Sequence, residues 1–223
     1  SVQESHARFV FAPSPVPALP IRGSDKLFPV HRIYCVGRNY AEHVKEMGGE
    51  VGRDPPFFFM KPADAIVLDG RFPYPTMSAD VHHEIELVVA IGEGEKIFGH
   101  AVGLDMTRRD LQAAAKKLGR PWDTAKGFDH SAPIGAIVPV SAPLTAGAIA
   151  LDVNGTRRQT GDISEMIWSV AEIIEHLSKA WELAPGDLIF TGTPEGVAAV
   201  VVGDTLSASV EGVGTLQVQI VAG

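Results

Sequence analysis

Two glutamates one residue apart, Glu84 and Glu86, run directly into the apolar stretch Leu87-Val88-Val89-Ala90-Ile91, and no other feature constrains the fold as much. The run reads as a strand entering the core. Residues two apart on a strand share a face, so Glu84 and Glu86 project side by side. Adjacent carboxylates that lose water repel one another, and a core retains such a pair only with compensation. A divalent cation is the simplest form of it. All-oxygen ligands favour a hard ion, Mg²⁺ or Mn²⁺, over zinc. The plain alternative is a wet sheet face on which both side chains are merely solvated.

The surrounding pattern is rich in strands. Apolar runs with strand character occupy 32–36, 57–60, 66–68, 84–91, 101–104, 134–139, 149–153, 187–191, 205–210 and 215–221. Asn154-Gly155 marks a hairpin turn. Three helices are expected. One spans 39–47, with Asn39 as N-cap and Glu42 three residues on. Another runs from a Thr107 cap to about Leu118, with Asp110 at its third position and Gly119 as its stop. The longest covers 164–183, with Ile167, Val170, Ile174 and Leu177 on one face. Before His31 the prolines at 13, 15, 17, 20 and 29 allow neither a helix interior nor a central strand. Residues 1–30 therefore read as an N-terminal arm with at most an edge strand at Arg8–Phe11, and 31–223 as a single catalytic domain. The expected class is α+β and β-rich: a mixed roll- or sandwich-like core with a few peripheral helices.

Nineteen basic residues against 27 acidic ones give a net charge of −8 with no basic cluster, which argues against nucleic acid or an anionic membrane as partner. Cys35 is the single cysteine, so no intrachain disulfide can form. With no bilayer-length apolar run and no leader pattern, a cytoplasmic location is expected.

Other residues carry chemistry by type and spacing. Asp105 lies where a strand meets a helix, a rigid place for a third carboxylate ligand, although an acid there also suits the helix dipole. Arg109 and Gln112 share a helix face near it, and the planar guanidinium matches a substrate carboxylate; a surface arginine is the alternative. His43 and Glu46, also three apart, form half of a water-activating dyad or simply part of an exposed face. Lys126, among aromatic and small residues, could reach a cleft or sit in solvent. Gly192 and Thr193, in Thr191-Gly192-Thr193-Pro194, would let backbone N–H groups approach an anion or make an ordinary turn. His82 is a weaker candidate ligand, and His83 points away from the glutamate face.

The order of these segments is more specific than any one of them. The series Gly37-Arg38-Asn39-Tyr40, His43-x-x-Glu46, Lys61-Pro62, His82-His83-Glu84-x-Glu86-Leu87, Asp105-Met106-Thr107-x-Arg109-Asp110-x-Gln112, Trp122-x-x-Ala125-Lys126 and Gly192-Thr193-Pro194 resembles the fumarylacetoacetate hydrolase family from His31 onward. Pro55 to Phe59, Lys61 to Ala65, Leu118 to Asp123 and Ser164 to Ser169 are similar to the members that hydrolyse fumarylpyruvate in gentisate breakdown. The resemblance implies a β-roll-like domain, a homodimer, and one Mg²⁺ or Mn²⁺ per subunit held by Glu84, Glu86 and Asp105. It implies that His43 and Glu46 activate water from a lid with Lys126 as a further catalytic residue, and that Arg109, Gln112, Lys126, Gly192 and Thr193 contact substrate. It also implies hydrolysis of the carbon–carbon bond of a small anionic 2,4-diketo acid, most specifically fumarylpyruvate to fumarate and pyruvate. Acylpyruvate hydrolase, oxaloacetate decarboxylase and 2-oxo acid isomerase or hydratase activities share the scaffold. A metal-binding dimer without turnover is the alternative of another class. The chain departs from the family in one place: where members usually carry a longer excursion between the Glu-x-Glu strand and the aspartate strand, only Gly92 to His100 intervenes.

Overall fold

The computed structural model of the protein describes residues 7–223. Its centre is a six-stranded mixed sheet in the order Val138–Pro139, Ile97–Leu104, Ile85–Ile91, Leu188–Phe190, Ile33–Gly37, Phe57–Lys61. A second sheet of five strands runs Thr156–Asp162, Ala148–Val153, Thr205–Val210, Gly214–Val221, Arg71–Pro73. Within these two sheets pairing is antiparallel except between Leu188–Phe190 and Ile33–Gly37, and between Gly214–Val221 and Arg71–Pro73. Four α-helices lie among the described residues: α1 (Ala41–Glu46), α2 (Arg109–Leu118), α3 (Asp123–Lys126) and α4 (Val170–Ala180). The protein is β-rich α+β, as the sequence pattern predicts.

Side-chain alternation on Ile85–Ile91 explains its unbroken apolar character. Ile85, Leu87, Val89 and Ile91 face the main core, with Leu151, Leu206, Val218 and Ile220 of the second sheet and Ile173 and Leu177 of α4. Val88 and Ala90 face a second core with Cys35, Ala101, Phe190 and Leu19, Phe28 and Val30 from the hairpin Ala18–Pro20/Leu27–Pro29. Both faces of the strand are covered, so both carry apolar residues. Glu86 shares the parity of Val88 and Ala90 and so belongs to the second face. The register opposes it to Gly103 on the neighbouring strand. A Cβ at Gly103 would lie 2.7 Å from Val88 and 2.8 Å from the Phe190 ring, so this packing admits only glycine. The short connection at 92–96 closes as a tight hairpin, with Gly94 and Glu95 both left-handed at φ 67° and 61°.

Several local expectations are corrected. Arg8–Phe11 is turn and bend, not an edge strand; the extended pair of this region lies at 18–20 and 27–29. Asn39 does not cap α1, whose N-cap is Tyr40 without a side-chain bond. The Asn39 amide instead donates to Trp168 O and Thr191 O and accepts from Trp168 N, tying three loops together. Thr107 pairs with His82 in a short bridge, so α2 starts at Arg109 with Arg108 as N-cap; Gly119 ends it in the left-handed conformation, as expected. The long helix starts at Val170 rather than at 164. Asp162 captures the Ser164 N–H and hydroxyl, and the Ser169–Glu172 capping box sets the start. Within the expected 134–139 strand only Val138–Pro139 is extended sheet, Ile134 makes an isolated bridge to Gly103, and a second short strand, Ala132–Pro133, lies just before the stretch. Among the described residues no helix is long and apolar enough to cross a membrane.

Candidate functional site

Glu84 precedes the central strand, Glu86 is its second residue, and Asp105 follows the paired strand Ile97–Leu104. The hairpin therefore carries all three acids to one end, and Asp105 N–H donates to Glu84 O at 2.9 Å. The three are buried, and each offers a carboxylate oxygen within 4.8 Å of the others. His82 and His83 fall outside this group. His82 Nε2 lies 2.8 Å from Asp80, and His83 Nδ1 lies 2.9 Å from Gln159 Oε1.

The three carboxylates are not equivalent. Glu84 Oε2 accepts from Arg109 at 2.7 Å, and its Oε1 from Lys126 at 3.2 Å. Burial would raise its carboxyl, but Lys126 and Arg109 outweigh burial and hold it well below the ordinary range. Glu86 receives one hydrogen bond, from Gly192 N–H to Oε1 at 2.9 Å. Burial, then Asp105 and Glu84, push its carboxyl well above the ordinary range. A buried acid raised by two neighbouring carboxylates needs either a proton or a cation. An all-oxygen cluster at this spacing fits a hard divalent ion, so these residues can hold the Mg²⁺ or Mn²⁺ expected from the sequence.

Lys126 ends the one-turn helix α3 and is buried. Its ammonium lies 2.9 Å from Asp105 Oδ2 and 2.8 Å from Thr107 Oγ1, besides Glu84. Burial lowers its pKa, but Asp105 and Glu84 more than reverse this and the net shift is upward. Arg109, at the start of α2, donates Nη1 to Gln112 Oε1 at 2.7 Å. Among the described residues the Gln112 amide N–H groups donate to no acceptor, while its oxygen is taken by Arg109. His43 and Glu46 lie on α1 with Nδ1 and Oε2 3.0 Å apart, and Glu46 Oε1 accepts from Gly196 N–H at 2.9 Å. Glu46 thus both orients the imidazole and ties α1 to the loop after Thr193. Glu84, Arg109, Gln112, Lys126, His43 and Thr193 line one cleft.

Gly192 differs from its expected use. The anion its N–H approaches is Glu86, so it supports a carboxylate of the cluster and does not line the cleft. Its φ is 104°, and an added Cβ would lie 2.7 Å from Asn39 Cβ. Gly192→Ala is expected to cost about 2–4 kcal/mol from backbone strain and overpacking, measured by urea unfolding. Unchanged stability would contradict this placement.

Two further residues were not assigned a role from the sequence. Lys61, at the end of the strand Phe57–Lys61, is buried with its ammonium 2.7 Å from Asp105 Oδ1, and it donates to Met106 O and Lys126 O at 3.1 and 2.6 Å. The signal was a lysine closing the aromatic run Phe57-Phe58-Phe59-Met60. With Arg109 and Lys126 it balances the three acids charge for charge. Gln159 is buried and fully bonded: Oε1 accepts from Ile85 N and lies against His83 Nδ1, while Nε2 donates to Thr193 Oγ1 at 2.7 Å and to Pro194 O. No spacing rule brings a residue of the second sheet to this position.

A model of the fumarylacetoacetate (FAA) hydrolase C-terminal family matches residues 32–221. A fumarylpyruvate hydrolase of Ralstonia sp. is 44% identical over 176 residues, covering 74% of this chain and 92% of its own. An oxaloacetate tautomerase of Escherichia coli is 40% identical over 201 residues, covering 83% and 90%. The crystal structure of fumarylpyruvate hydrolase from Pseudomonas aeruginosa in complex with Mn²⁺ and pyruvate is similar at a TM-score of 0.93 with 49% identity, covering 97% of this chain and 100% of that one. On the motifs, the fold and these matches, the chain belongs to the fumarylacetoacetate hydrolase family.

Proposed function

We propose that the protein hydrolyses the carbon–carbon bond of a 2,4-diketo acid, with fumarylpyruvate as its substrate and fumarate and pyruvate as products. The observation that carries this reading is one cleft lined both by Glu84, a member of the buried carboxylate trio, and by His43, a member of the histidine–glutamate pair. In this reading Glu84, Glu86 and Asp105 hold Mg²⁺ or Mn²⁺, which supplies Lewis acidity toward the 2-oxo acid head when bound. The relatives that act on fumarylpyruvate support the substrate.

The residues divide the remaining work. His43 donates Nδ1–H to Glu46, leaving Nε2 to take a proton from water. Hydroxide adds to the 4-carbonyl and the C3–C4 bond breaks. The electron pair passes to the three-carbon fragment as an enolate, which a proton converts to pyruvate. Arg109 and Lys126 face that fragment with positive charge. Thr193 Oγ1 already accepts from Gln159, so its own hydroxyl proton is free to donate to an anionic substrate. A homodimer is proposed on the family resemblance and is tested by mass in solution.

The wild-type protein with Mn²⁺ is expected to bleach the ultraviolet absorbance of fumarylpyruvate and to lose this activity in excess chelator. Running the assay beside maleylpyruvate, acetylpyruvate and oxaloacetate separates the readings. Turnover of oxaloacetate alone would replace the hydrolase reading with the tautomerase or decarboxylase one. Binding without bleaching of any substrate would support a non-catalytic protein.

A further inference from the structure

The cleft contains more positive charge than the carboxylate trio explains. Arg38 and Lys116 line it together with Glu84, which is its only acid. Glu84 is already paired with Arg109 and Lys126. Among the described residues neither Arg38 nor Lys116 has an acidic side chain within ion-pair distance. Burial, then the charges of Arg38, Arg109 and Lys126, pull the Lys116 ammonium below its ordinary range, so these cations crowd one another. Arg38 is held in the left-handed conformation at φ 56°, which arginine rarely adopts. Backbone strain of this kind persists where surrounding structure enforces it, often beside a ligand.

Position along α2 gives the spacing. Arg109, Gln112 and Lys116 repeat at helical intervals on one face, and all three line the cleft. Lys116 lies seven residues beyond Arg109, roughly 10 Å along the axis at 1.5 Å per residue. Trp122 and Phe59 also line the cleft, with ring centroids 5.6 Å apart. Lys116 Nζ lies 5.2 Å from the Trp122 ring centroid, so an aromatic wall and a cation adjoin, an arrangement that suits a planar unsaturated chain ending in an anion.

We propose that Arg38 and Lys116 form a distal subsite for a second carboxylate, at the far end of the acyl group, so that the cleft selects seven-carbon 2-oxo diacids over the corresponding monoacids. This rests on the reading that the 2-oxo acid head sits at the Glu84–Glu86–Asp105 centre. The test is therefore one of binding rather than turnover. Isothermal titration of the Mn²⁺-loaded protein with 2-oxoheptanedioate and with 2-oxoheptanoate compares two ligands that share a head and a chain length. Wild type is expected to prefer the diacid by roughly tenfold or more, as charge-assisted hydrogen bonds allow. Arg38→Met and Lys116→Met each reduce the preference, and the double variant abolishes it. The monoacid binds all four proteins equally, which also shows that the variants fold. Equal affinity of wild type for the two ligands, or a preference that survives in the double variant, overturns the distal subsite alone. Failure of wild type to bind either ligand overturns the placement of the head as well.

Discussion

Glu86→Gln is expected to raise the melting temperature of the metal-free protein and to abolish its divalent-metal binding, whereas Glu84→Gln is expected to lower both. The opposite signs follow from the division of charge. Glu86 is buried beside Asp105 and Glu84 with one backbone N–H as partner. A neutral amide there keeps an oxygen to accept from Gly192 and removes the repulsion. Glu84 anchors Arg109 and Lys126, and its loss leaves buried cations short of partners, a defect worth about 3–5 kcal/mol. The pH dependence has the same logic. A carboxyl raised in the folded state retains protons that the unfolded chain releases, so Glu86 costs the metal-free protein stability as pH rises from its unfolded pKa through its raised folded one. Glu84, depressed in the folded state, contributes stability above its unfolded pKa, and that is lost as pH falls through its folded value. Metal affinity strengthens as pH rises, since the ion displaces the proton from Glu86. Calorimetry on metal-free and Mn²⁺-loaded samples reads these effects. Equal destabilisation by the two substitutions would show that the charge is not divided in this way.

The second large effect concerns turnover without a change in the metal. His43→Ala is expected to lower kcat by about 10²–10⁴-fold, the usual contribution of a positioned general base, while the Mn²⁺ dissociation constant stays at its wild-type value. The imidazole is not part of the carboxylate cluster. Its bond to Glu46 at 3.0 Å fixes which nitrogen faces the cleft. Glu46→Gln should give a smaller loss, because a glutamine oxygen can still accept from Nδ1–H but lacks the charge that raises imidazole basicity. With the single amide oxygen on Nδ1–H, the NH2 group faces the Gly196 N–H as a second donor, so the tie between α1 and that loop is expected to loosen as well. Parallel losses of turnover and metal affinity in His43→Ala would make the histidine structural. Full activity would remove it from the reaction.

Local rules reached the elements that local forces decide. Continuous burial on both faces made Glu84 to Ile91 legible as a core strand, and Asn154-Gly155 supplied the hairpin between Ala148–Val153 and Thr156–Asp162. The errors came where a side chain had a distant partner. Asn39 has the composition of a cap, but Trp168 and Thr191 take its amide. Ser164 lies in an apolar periodic stretch, but the Asp162 side chain claims its N–H before a helix can start. Thr107 has a capping hydroxyl, but it bridges Asp105 O and Lys126 Nζ.

The sequence by itself determined the strand-rich class and the nearness of Glu84 to Glu86 and of His43 to Glu46, because period-two alternation and three-residue helical spacing are properties of neighbouring residues. Tertiary structure alone decided the electrostatics: that Lys61 and Lys126 meet Asp105, that Gly192 serves Glu86, and that Gln159 steers Thr193 from another sheet. Coulomb and hydrogen-bond energies depend on separation in space and on the water excluded between groups. Neither quantity is a function of distance along the chain.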